Sequence, residues 1–125
     1  VPDQDPAKIL QAAADHLRRQ LPDAVHLDIH LGHTGQPYLM DPHSELGQAA
    51  QRALAKTFGG TVALIREGGS IPIVQAFADV LGAPTLLLGL ALPDCQAHAP
   101  NENFPIENFE AGIRLNQHLL EELAQ

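Results

Sequence analysis

From residue 44 onward the chain alternates two hydrophobic periods, each segment bounded by Gly or Pro, and that alternation limits the fold most. Leu46, Ala49, Ala50, Ala53, Leu54 and Phe58 recur at helical spacing, and Gly59-Gly60 stop the pattern. Thr61 to Ile65 is a short apolar run of the kind found in strands covered on both faces. Val74, Phe77, Ala78 and Leu81 form a second helical stripe, which Gly82 ends; Pro72 fits the first turn of that helix and Ser70 its cap. Thr85 to Leu90 reads as another buried strand. A polar loop from Pro93 to Phe104 follows, then a last helix that starts near Pro105 and uses Phe109, Ile113, Leu119 and Leu123. The order helix, strand, helix, strand, loop, helix predicts an α/β layer with parallel strands.

Residues 1–34 differ from this. Asp5-Pro6 has the signature of a helix start, and Ile9, Leu10, Ala13, Leu17 and Leu21 continue it. Val25, Leu27, Ile29 and Leu31 then alternate with His26, Asp28 and His30, the pattern of a strand with one buried face. Gly32, Gly35 and Pro37 break that pattern, so the boundary falls between Gly32 and Pro42, and residues 35–125 make the second part.

Fifteen acidic and seven basic residues give a formal charge of -8, a surface that repels nucleic acid and anionic membranes. No apolar run approaches the ~20 residues of a membrane span, and no signal or lipidation motif opens the chain. A single cysteine, Cys95, rules out an internal disulfide and a cysteine-built metal site. A cytoplasmic location is expected. Val1-Pro2 reads like mid-chain sequence, so the chain is expected to be part of a longer protein.

Two polar segments end the apolar runs: Arg66-Glu67-Gly68-Gly69-Ser70-Ile71-Pro72 and His98-Ala99-Pro100-Asn101-Glu102. In an open parallel sheet ligands sit beyond the carboxyl ends of strands, where these segments lie. Glycines and helix N–H groups admit an anion closely, Ser70 adds a hydroxyl, and Arg66 offers a fork for a carboxylate. The same string also suits a plain strand-to-helix turn capped by Ser70. His98 is a zinc-ligand type in a loop stiffened by Pro100, with Asn101 and Glu102 as hydrogen-bonding neighbours, yet one histidine also suits an ordinary surface position. His26, Asp28 and His30 have metal-like spacing, but a solvated strand face is the better explanation of them. Cys95 has no base obviously paired with it.

The two segments resemble those of the zinc-dependent dipeptidase, carboxypeptidase and aminoacylase family, in its carnosinase-like branch. Val1-Pro2-Asp3-Gln4-Asp5-Pro6 resembles the family's entry into the second half of its lid domain, and Leu31-Gly32-His33-Thr34-Gly35-Gln36-Pro37-Tyr38 its exit. Phe58-Gly59 and the final helix fall in the expected order, so the resemblance covers nearly the whole chain. It implies the C-terminal part of a catalytic α/β domain that bears two zinc ions, preceded by part of an α+β lid that pairs subunits into a homodimer. It makes His98 a zinc ligand and Ser70 and Gly69 substrate contacts. It places Arg66 and Glu67 along the site and His33 at the lid junction, facing substrate. The implied substrate is a small peptide with a free carboxylate. The family's bridging Asp, catalytic Glu and remaining zinc ligands have no counterpart here, so these 125 residues are expected to be inactive alone. An N-acyl amino acid deacylase is a variant within the same chemistry. A non-catalytic association module, pairing through residues 6–31, is the rival of a different class.

Overall fold

A computed structural model of the chain describes residues 3–66 and 71–125. Four helices form: α1 (Pro6–Arg19), α2 (Glu45–Phe58), α3 (Ile73–Leu81) and α4 (Ile106–Leu123). The described residues divide into two units, and each is described by itself. One draws on Val1–Leu39 with Arg66–Thr85, the other on Met40–Ile65 with Leu86–Gln125.

In the first unit α1 begins as its sequence dictates. The Asp5 carboxylate accepts from the N–H groups of Ala7 and Lys8 at 2.9 and 3.2 Å, which satisfies two of the free donors of the first turn. Ala14 is the one buried position of α1, and Val74 that of α3. Tyr38 is fixed at both lone pair and proton. Its hydroxyl donates to the Thr85 carbonyl at 3.0 Å and accepts from the Thr85 N–H at 2.7 Å.

The second unit is built on α2 and α4, the only helices packed on each other among the described residues. Ser44 caps α2 through its hydroxyl, which accepts from the Gly47 N–H at 3.2 Å. Gly47 itself has no alternative: a Cβ there would lie 2.5 Å from the Pro42 carbonyl oxygen. Gly59 ends α2 at φ +69°, a conformation that a side chain disfavours. The buried surface is made of small residues, Ala49, Ala50 and Ala53 on α2 and Ala111 and Gly112 on α4, with Leu115 as the large buried side chain. Small side chains let helix axes come close. Around this seam sit two ion pairs, Arg52 with Glu122 and Lys56 with Glu121, each at 2.6 Å.

The structure corrects two expectations. No strand and no sheet forms among the described residues, so the predicted α/β architecture with parallel-type strands, and the strand of the α+β lid, are absent. Hydrophobic pattern shows that a segment is suited to burial, but a strand exists only through ladder hydrogen bonds to a neighbour. Val25 to Leu31, Thr61 to Ile65 and Thr85 to Leu90 find no such neighbour among the described residues, and Leu64, Ile65 and Leu87 stay more than half exposed. The second correction concerns the face of α4. Phe109 and Ile113 are exposed, and the buried positions of α4 are Ala111, Gly112 and Leu115, with Gly112 facing the Leu90 side chain. The helix is apolar on more than one side, and the side with the smaller residues is the buried one.

Candidate functional site

His98 is the candidate whose surroundings are best defined. It lies on a loop of consecutive turns in the second unit. The Cys95 N–H donates to Leu92 O at 3.0 Å, Ala99 N–H to Gln96 O at 2.9 Å, and Glu102 N–H to Ala99 O at 3.2 Å. Each bond closes an i to i+3 turn. Asn101 follows Pro100 at the third position of the last turn and has φ +66°. Pro then Asn is the usual pairing for a turn that needs positive φ there. His98 takes the same position in the preceding turn, with φ +65°. A non-glycine residue in the left-handed region costs about 1–2 kcal/mol. Gln96 and Asn101 share this backbone region, and the His98 side chain is exposed.

One contributor escaped the sequence reading. Asn103 ties the end of this loop to its beginning: its N–H donates to Cys95 O at 3.0 Å and its side-chain amide to Asp94 O at 3.0 Å. The signal was present, since Asn between turn residues and a Pro commonly bonds nearby backbone. Asn108 does a similar job at the start of α4, donating from Nδ2 to Leu90 O at 2.7 Å. Leu90 and Asn108, with Leu54, Phe58 and Leu92, line a shallow apolar hollow of the second unit.

The remaining candidates are less constrained. His33 and Arg66 belong to the first unit, and both are exposed. Glu67, Gly69 and Ser70 lie outside the described residues, as does the expected Ser70 cap of α3; Pro72 holds the position just before that helix. The ion pairs among the described residues involve neither His33, Arg66 nor His98. His30 and Asp28 do share one side, with Nε2 and Oδ2 3.1 Å apart, but both are strongly exposed. Cys95 is a free thiol, partly covered, in the loop of His98.

The described residues contain no group of three or more His, Cys, Asp and Glu placed to hold a metal ion. A single imidazole does not amount to a zinc site, which takes about three protein ligands. The zinc centre implied by the sequence resemblance is therefore not formed by these residues by themselves.

Comparison with known proteins fixes the family. The profile of peptidase family M20/M25/M40 matches residues 6–122. The chain belongs to this family. Among its M20/M25/M40 relatives, the Cys-Gly metallodipeptidase of Saccharomyces cerevisiae is 34% identical over 117 residues, covering 91% of this chain and 24% of its own length. The human Beta-Ala-His dipeptidase is 32% identical over 77 residues, covering 62% of this chain and 15% of its own. A solved structure of the di-peptidase Dug1p from Saccharomyces cerevisiae superposes with a TM-score of 0.82 at 32% identity, covering 98% of this chain and 26% of that one. The chain thus spans about a quarter of the length of these relatives at most. No described helix is long and apolar enough to cross a membrane.

Proposed function

We propose that this chain is part of a metal-dependent dipeptidase. The observation that carries the reading is the family match from residue 6 to residue 122, with metallodipeptidase relatives at about one-third identity. In this reading the enzyme is zinc-dependent, with two ions, and His98 is one ligand. The other ligands and the catalytic carboxylate lie in the three-quarters of the relatives' length that this chain does not span. These 125 residues alone are then inactive.

The roles follow from residue chemistry. Arg66 recognises the free carboxylate of the substrate through a two-pronged hydrogen bond. Gly69 and Ser70 offer backbone and hydroxyl donors to the peptide, with Glu67 beside them, and His33 approaches substrate from the lid side. Residues 1–34 belong to the lid and 35–125 to the catalytic domain. The lid pairs two copies of the protein; exposed Ile9 and Leu17 on α1 support an apolar contact there. The acidic composition supports small peptides, and not nucleic acid, as the binding partner.

The test is hydrolysis of Cys-Gly and of β-Ala-His by the full-length protein, before and after metal chelation. Hydrolysis of either dipeptide that stops on chelation and returns with zinc supports the reading. Absence of hydrolysis of both by metal-loaded protein, or hydrolysis indifferent to chelation, contradicts it.

A further inference from the structure

The loop that carries His98 holds three residues in the left-handed region, Gln96 at +52°, His98 at +65° and Asn101 at +66°. Pro100 follows Ala99, fixes its own φ and restricts the residue before it. None of this keeps His98 where it is, because a turn with a side chain at its third position relaxes readily towards negative φ. Something must hold the two ends of the loop together.

Asn103 is the residue that does so. Its N–H donates to Cys95 O at 3.0 Å, and Nδ2 donates to Asp94 O at 3.0 Å and more loosely to Asn101 O at 3.4 Å. The two side-chain acceptors, Asp94 O and Asn101 O, are carbonyl oxygens, so Nδ2 and not Oδ1 of Asn103 faces them. The bonds bracket His98 from both sides in sequence. The loop is thereby closed across Asp94 to Asn103, with His98 near its middle.

We propose that Asn103 is the positioning residue for His98: its clamp on Asp94 and Asn101 fixes the backbone from which the imidazole is presented. The proposal rests on the reading of His98 as a site residue. Asn103 touches neither substrate nor reacting atoms in this account, and it acts through the loop alone. The neighbouring helix α4 has its own tether, Asn108 to Leu90 O, so loosening Asn103 leaves α4 in place.

The experiment compares the full-length protein with its Asn103→Ala and His98→Ala variants, by dipeptide hydrolysis and by hydrogen–deuterium exchange of peptides covering 94–103 and 106–123. Asn103→Ala removes both side-chain bonds and keeps the backbone one. The expected result is faster exchange confined to 94–103, with kcat/KM lower by about 10- to 100-fold and most of the loss in kcat. Unchanged exchange, unchanged kcat/KM, or exchange that rises equally in 106–123 would each overturn the proposal, the last by reducing Asn103 to a general structural role. A His98→Ala variant that keeps full activity would overturn the site reading, and the role of Asn103 with it. An inactive His98→Ala beside a fully active Asn103→Ala sinks the positioning role alone.

Discussion

Thr57 receives a hydrogen bond from Nδ1 of His118 across the α2–α4 seam, at 2.8 Å. The direction follows from the one proton of the Thr57 hydroxyl, which is donated to the Ala53 carbonyl at 2.7 Å. Thr57 can then only accept, so Nδ1 of His118 must carry a proton. Neutral His118 is therefore the Nδ1–H tautomer, which ¹⁵N–¹H correlation spectra of the ring read directly. An Nε2–H spectrum at neutral pH would contradict the assignment. Thr57→Val removes the acceptor and should cost about 1 kcal/mol of stability, measured by urea denaturation.

Lys56 and Glu121 predict how this seam responds to acid. The Lys56 ammonium donates to Glu121 at 2.6 Å and adds its charge, which together hold that carboxyl below its ordinary value of 4.5. The folded state thus binds its proton less readily than the unfolded one. The contribution of the pair is complete above pH 4.5 and is lost as pH falls through the lower, folded value. A carbon-detected titration of Glu121 should give a midpoint below 4.5 that rises towards it in Lys56→Met. Added salt should shrink the difference, because both groups are near solvent.

The seam between α2 and α4 leaves no room for larger side chains. Ala53 has no exposed surface and Leu115 only 2%. Ala53→Leu should destabilise by about 1–3 kcal/mol through overpacking, and Leu115→Ala by about 2–5 kcal/mol through the cavity it leaves. Ala55→Leu, on the exposed side of the same helix, should stay within about 0.5 kcal/mol in the same denaturation series.

What the sequence could reveal depended on how local each signal was. Helix boundaries rest on neighbours within four residues, and Asp5-Pro6, Gly59 and Gly82 marked them correctly. The strands failed because ladder bonds are not local. The alternation from Val25 to Leu31 names a face to bury without naming a partner, and no ladder forms. On α4 the large residues Phe109 and Ile113 drew attention, while the buried positions are Ala111, Gly112 and Leu115, two of them small. His98 stood out as a candidate by type and motif. Its positive φ and the Asn103 clamp were not, since both depend on how three turns stack in space.

The left-handed backbone at His98 separates stability from side-chain function. Glycine accepts φ +65° without strain, whereas alanine does not. His98→Gly should therefore be about 1 kcal/mol more stable than His98→Ala, with both lacking the imidazole. Equal stabilities in chemical denaturation would mean that the loop relaxes once the ring is gone.

In the proposed function His98 serves the chemistry of a metal-dependent dipeptidase to which this chain contributes. The most direct measurement is kcat/KM for dipeptide hydrolysis by the full-length protein, with His98 intact and as His98→Ala, each at saturating metal and each shown to be folded. The expected result is a loss on the order of a hundredfold or more for the variant. A folded, metal-supplied His98→Ala protein that hydrolyses the dipeptide at the unaltered rate would contradict it.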